Sequence, residues 1–262
     1  MPVKLHFDRV EIGRRHSSLL CEETEADTRG FLREPHNTKD PTMATPTASK
    51  RKLVLKMSVS LDGFVAGPNG EADWVFRSSG GADSTGWLLD TLRGAGVHIM
   101  GSGSYGDMAA FWPYSQMPVA APMNDIPKVI FSRTGIDGPR AQHTTAALAE
   151  AKVRNAERHG AVPSEAVLKS WAEPTVARGD LVEEVMRLKD QPGNYILAHG
   201  GARFAQSLIA AGLVDEFRLA IHPVALGQGM PLFSGLRSPV DLRLVSATPF
   251  ASGAMAVVYQ PA

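Results

Sequence analysis

Two glycine-rich segments of this sequence have the residue types needed to hold a phosphate. Gly101-Ser102-Gly103-Ser104-Tyr105-Gly106 has the spacing GxGxxG directly after the apolar run 97–100, and Gly200-Gly201 follows the apolar run 195–198. Glycine lets a backbone approach an anion closely, and a helix starting there offers unpaired N–H groups and the positive end of its dipole. Asp125, 19 residues after Gly106, imitates the ribose-binding acid of a Rossmann unit. A Rossmann fingerprint opens a long helix, whereas Trp112-Pro113, Pro118 and Pro122 cut this one to about two turns. A phosphate loop of another nucleotide-binding fold and a merely tight strand-to-helix turn remain as readings. Ser132-Arg133 ends a third apolar run, 128–132. A guanidinium there either takes a phosphate monoester bidentately, favouring NADP over NAD, or is a solvated loop charge.

Proton transfer needs an acid, and Asp62 and Asp83 are the candidates near the same segments; a turn residue and a helix cap are the competing readings. Trp74, Trp112 and Tyr114 fall in loops where they could stack on a planar substrate or simply pack in the core. The eight histidines lack HExxH spacing, and His199 and His222, each at a strand end, read as structural or surface residues more readily than as proton donors. No nucleophile elbow and no P-loop lysine occur. One cysteine, Cys21, excludes an internal disulfide framework and a multi-cysteine zinc site, so no metal is expected. Lys+Arg and Asp+Glu number 27 each, which removes the electrostatic driver for nucleic-acid or anionic-membrane binding. No apolar run approaches the ~20 residues of a membrane-spanning helix. A cytoplasmic protein acting on a small molecule is the expectation.

The elements that position these residues alternate. Residues 52–60 (KLVLKMSVS) read as a strand ending at the turn Leu61-Asp62-Gly63, and 64–74 as a long loop. Ser84 is placed to cap a helix over 85–93, followed by strands at 97–100 and 128–132. Asp180 with Glu183 opens a helix ended by Pro192-Gly193; a strand at 195–198 leads into a helix over 202–211. Strands at 217–222, 242–245 and 254–259 close the chain, the last two with no helix between them. Strand–helix alternation predicts a largely parallel sheet with helices on both faces, and the closing pair predicts an antiparallel edge. The glycine junctions and Arg133 then share the carboxyl edge of the sheet, where open α/β sheets bind ligands. Residues 1–50, rich in charge, proline and hydroxyls, read as a disordered or mis-assigned extension; 51–262 form one domain, with a helical insertion at about 140–170.

From residue 51 onward the order of motifs resembles the dihydrofolate-reductase-like superfamily. It is most similar to the reductase domain of the bifunctional riboflavin-biosynthesis deaminase/reductase. The likeness is carried by Lys56-Met57-Ser58-Val59-Ser60-Leu61-Asp62-Gly63, Ile99-Met100-Gly101-Ser102-Gly103-Ser104-Tyr105, Lys128-Val129-Ile130-Phe131-Ser132 and His199-Gly200-Gly201-Ala202. Leu213-Val214-Asp215-Glu216-Phe217 and the block 222–233 (HPVALGQGMPLF) complete it. The resemblance implies a mostly parallel central sheet with flanking helices and an antiparallel C-terminal strand, binding NADPH across the carboxyl edge. It implies that Gly101, Ser102, Gly103, Ser104, Gly200, Gly201, Ala202 and Phe204 hold the cofactor phosphates. Phe131, Ser132 and Arg133 would flank the adenosine and its 2′-phosphate, and Ser58 and Val59 the nicotinamide. A cis peptide at Gly200-Gly201 and a homodimer are further family-level expectations.

The implied activity is hydride transfer to a small heterocyclic, imine or carbonyl substrate, related to 5-amino-6-(5-phosphoribosylamino)uracil reductase. An NADPH-binding protein of the same fold without turnover is the alternative. Two departures matter. The segment Ser84-Thr85-Gly86-Trp87 offers no carboxylate matching that of folate reductases, and the zinc signature of the deaminase half is absent.

Overall fold

The computed structural model describes residues 50–136 and 163–262. The expectation for 1–50, all but its last residue, and the greater part of the insertion at 140–170 lie outside the described residues. In chain order the strands are β1 (Leu53–Ser60), β2 (Phe64–Ala66), β3 (Ala95–Gly101), β4 (Lys128–Phe131), β5 (Thr175–Ala177), β6 (Tyr195–His199), β7 (Glu216–His222), β8 (Met230–Pro231), β9 (Leu242–Pro249) and β10 (Met255–Pro261). The helices are α1 (Ala82–Arg93), α2 (Ser102–Phe111), α3 (Ala120–Asp125), α4 (Glu165–Ala172), α5 (Leu181–Lys189) and α6 (Ala202–Ala210).

Eight strands form one sheet in the order β5-β4-β3-β6-β1-β7-β10-β9. All pairs from β5 to β7 are parallel, while β10 pairs antiparallel with β7 and with the edge strand β9. Strand alternation divides the core. Leu53, Leu55, Ile99, Ile196 and Leu219 face α5 and α6 on one side; Val54, Met100, Ile130 and Leu197 face α1 to α4 on the other. The same alternation puts Lys56, Ser58, His98, Lys128 and His199 on the second face.

Local chemistry explains the helix starts. The Asp180 carboxylate accepts the Val182 and Glu183 amides at the head of α5, and Ser164 accepts the Val167 amide at the head of α4. Ser84 does not cap α1. The helix begins at Ala82, and the Ser84 hydroxyl donates back to the Gly81 carbonyl at 3.1 Å. The segment read as one loop over 64–74 contains β2, which pairs with β8, and enters a 3-10 turn at Asp73–Arg77. β5, three residues long, is too short for a periodicity signal. No helix among the described residues is long and apolar enough to cross a membrane.

Candidate functional site

The two glycine junctions, 100 residues apart in sequence, touch. A Cβ added to Gly201 would lie 2.5 Å from Ser104 Oγ, and one added to Gly101 would lie 3.2 Å from Phe204 Cβ. Both β3 and β6 end at the carboxyl edge of the sheet, so α2 and α6 start side by side. Neither helix has a side-chain cap. First-turn amides of both therefore lack a side-chain acceptor and open onto one cleft of about 910 Å³. Paired N-termini of this kind could hold the phosphates of a dinucleotide, and a side chain at Gly101 or Gly201 would press on Phe204 or Ser104 where the two helices meet.

The cleft is lined by Ser58, Gly101, Ser102, Gly103, Ser104, Phe131, Gly200, Gly201, Ala202 and Phe204 among the residues singled out from sequence. Phe131 and Phe204 pack with ring centroids 5.2 Å apart. Trp112 also lines the cleft; Tyr114 does not, and Trp74 is buried edge-on to His222 at 5.4 Å. Val59 is turned to the opposite face from Ser58 and buried in the core, because neighbouring strand residues point apart. Ser132 is no part of the lining: its hydroxyl donates to the Gly135 carbonyl at 2.6 Å and its amide to Ala177 at 3.0 Å. Arg133 is exposed just beyond β4, outside the cleft. The Gly200-Gly201 peptide is trans, contrary to the family-level expectation; the turn is made by the positive φ of Gly201, +86°.

Both aspartates sit away from the cleft. Asp62 accepts the Ser60 hydroxyl at 2.6 Å and the amides of Leu226 at 2.9 Å and Gly227 at 2.7 Å. Those bonds, the Ser60 hydroxyl first and the Gly227 amide next, hold its carboxyl down to about 2. A carboxyl that acidic keeps no proton to donate near neutrality. Asp83 accepts the Ser84 and Ala251 amides at 2.7 Å each, tying α1 to the turn between β9 and β10; the Ala251 bond, then that of Ser84, lowers its pKa. The turn and tie roles account for both residues.

The floor holds Lys56, which carries no role in the sequence reading, and His199, read there as a structural or surface residue more readily than a proton donor. Lys56, in the middle of β1, and His199, the last residue of β6, are Cα partners in register and both line the cleft. Burial pulls Lys56 down to about 8. His199 is pushed well below its usual value by burial, then by His98, Lys56 and Lys128. Its ring meets that of His98 at 4.5 Å in a T-shaped contact. His98 is fully buried, and neither its nitrogens nor His199 Nε2 has a partner among the described residues. The signal available in sequence was a lysine and a histidine inside apolar strands, KLVLKMSVS and VHIM.

Residues 51–256 match the RibD C-terminal domain family. The chain belongs to that family. Protein YyaP of Bacillus subtilis is 29% identical over 215 residues, covering 82% of this chain and 97% of YyaP; YwjB of the same organism is 26% identical over 201 residues, covering 77% and 93%. Among solved structures, a protein assigned to riboflavin biosynthesis from Shewanella sp. PV-4 superposes with a TM-score of 0.58 at 18% identity, over 80% of this chain and 99% of its own. The Thermotoga maritima diaminohydroxyphosphoribosylaminopyrimidine deaminase/5-amino-6-(5-phosphoribosylamino)uracil reductase gives 0.54 at 18%, over 82% of this chain and 58% of that one. The RibD-type domain thus shares the fold of these riboflavin-biosynthesis proteins, a mostly parallel sheet with flanking helices and antiparallel C-terminal strands.

Proposed function

We propose that this RibD-family domain is an NADPH-dependent reductase delivering a hydride and a proton to a small heterocyclic, imine or carbonyl substrate. The observation that carries the reading is the meeting of two uncapped helix N-termini beside a floor bearing Lys56 and His199. NADPH, when bound, supplies the hydride. The first-turn amides of α2 and α6, with Ser102 and Ser104, suit its phosphates. Arg133 suits a 2′-phosphate.

The chain's own work is to orient, to exclude water and to hold a proton. Lys56 Nζ is the candidate proton source. With a pKa of about 8 it is protonated at neutral pH yet close enough to ambient to release the proton. His199, kept neutral, can donate one N–H to an acceptor atom of the substrate. Phe111 and Trp112, whose rings meet at 4.9 Å, wall the cleft against water.

Titration with NADPH, followed by nicotinamide fluorescence, tests the binding half; Gly101→Val is expected to abolish the enhancement while the variant still melts cooperatively. Wild-type affinity in Gly101→Val sinks the phosphate-loop assignment. Substrate-dependent loss of nicotinamide absorbance tests turnover, and its absence over a broad carbonyl and imine panel favours a binding protein without catalysis. Arg133→Ala should weaken NADPH much more than NADH; equal loss removes Arg133 from the 2′-phosphate.

A homodimer belongs to the same proposal. β9 is an edge strand with one side unpaired, and Leu244 and Val245 are 51% and 47% exposed on it. Such an edge invites pairing with a second copy.

A further inference from the structure

The cleft has two ends of opposite chemistry. At one end are the glycine amides and Arg203, on the first turn of α6. At the other, Leu88 of α1, Met108 and Phe111 of α2, Trp112 and the Val119 and Met123 side chains at α3 form an apolar chamber on the same sheet face as Lys56 and His199. Lys56 and Arg203 are the cationic side chains among the described lining residues, and Asp107 the acidic one. Recognition of a phosphate ester calls for guanidinium or ammonium groups or for a helix N-terminus of some length. Arg203 and both such N-termini, those of α2 and α6, lie at the glycine end; among the described residues the one ammonium reaching the chamber is Lys56 on its floor, and no guanidinium or helix N-terminus serves its apolar walls.

Resting on the reductase reading, we infer that the chamber takes an uncharged, flat, largely apolar compound rather than a phosphorylated sugar derivative, with its reducible group toward Lys56 and His199. Aromatic walls suit a planar ring, which buries area against them without leaving a polar group unpaired. A phosphate placed among Leu88, Met108 and Val119 loses its hydration and gains no donor in return. The substrate class therefore differs from that named for the Thermotoga reductase, with which this chain shares a fold at 18% identity.

Calorimetric titration of the full chain with 2-naphthaldehyde and with D-ribose 5-phosphate, each with and without saturating NADPH, tests this. 2-Naphthaldehyde is expected to bind at least about tenfold more tightly than D-ribose 5-phosphate in both conditions. Leu88→Gln and Met108→Gln, made separately so that one misfolded variant leaves the other, are each expected to weaken it about fivefold or more, with NADPH affinity within about twofold. Preference for D-ribose 5-phosphate, or 2-naphthaldehyde affinity untouched in both folded variants, overturns the inference. NADPH binding alongside a ribose 5-phosphate preference sinks the inference and spares the reductase reading. Naphthaldehyde binding without NADPH binding sinks the reductase reading and upholds the chamber as an apolar site.

Discussion

Lys56 is an amine half-buried in a parallel strand, with no hydrogen bond or ion pair among the described residues. Desolvation disfavours its charged form, and no nearby carboxylate restores it, so its pKa falls to about 8. If the protonated amine is what turnover requires, activity holds below pH 8 and declines as pH rises through that value. Lys56→Met should cut kcat by about 100-fold or more while NADPH affinity stays within about twofold, read by steady-state kinetics and fluorescence titration. Asp62 provides the contrast. Asp62→Asn removes the charge that accepts the Leu226 and Gly227 amides; it should lower the melting temperature yet leave kcat within about threefold. A collapse of kcat in a folded Asp62→Asn would restore Asp62 as the acid.

At the scale of elements, the row of side chains from β4 through β3 and β6 to β1 is the unusual feature. Lys128 is held by the carbonyls of Asn124 and Ile126 at 2.8 and 3.0 Å and lies over the Trp171 ring, whereas the ring nitrogens of His98 beside it have no hydrogen-bond partner among the described residues. Burial, then the charge of Lys128, pulls His98 down to about 3. The unfolded chain takes up a proton near pH 6.5 that the folded chain refuses, so folding stability is lost as pH falls from 6.5 toward 3. The loss per histidine is at most about 1.4 kcal/mol per pH unit. His98→Met should flatten the decline in melting temperature between pH 6.5 and 4; an unchanged slope removes His98 from the cause.

The β6–α6 junction carries the other element-level prediction. Gly201 combines a φ of +86° with the close approach of Ser104. Gly201→Ala should cost at least about 1 kcal/mol in chemical denaturation and weaken NADPH about tenfold or more. A Gly201→Ala variant with native stability and affinity contradicts both roles.

At the scale of the molecule, the parallel half of the sheet is covered by helices on both faces, while the antiparallel half ends in an uncovered edge. Seven of the eight residues of β9 are exposed. Natural sheets blunt such edges or pair them. Gel filtration with light scattering should give twice the chain mass, and Leu244→Lys should shift it to one chain without loss of secondary structure. A monomeric wild-type protein removes β9 as an interface.

What the amino-acid order determined by itself was the alternation of elements. Apolar strands, glycine junctions and an Asp180 cap are local signals, read within a few residues, and they place Gly101–Ser104 and Gly200–Phe204 at strand-to-helix turns. Family motifs extended that to the sheet. Strand pairing order and side-chain direction decided the rest, because both depend on partners far away in sequence. Alternation turned Val59 from the cleft, an amide pair at 226–227 claimed Asp62, and the turn after β9 claimed Asp83. Register brought Lys56 beside His199, and His98 beneath them, because β3, β6 and β1 lie side by side. A lysine in an apolar strand has no assigned neighbour until the sheet is assembled; only then does its desolvation, and so its chemistry, exist.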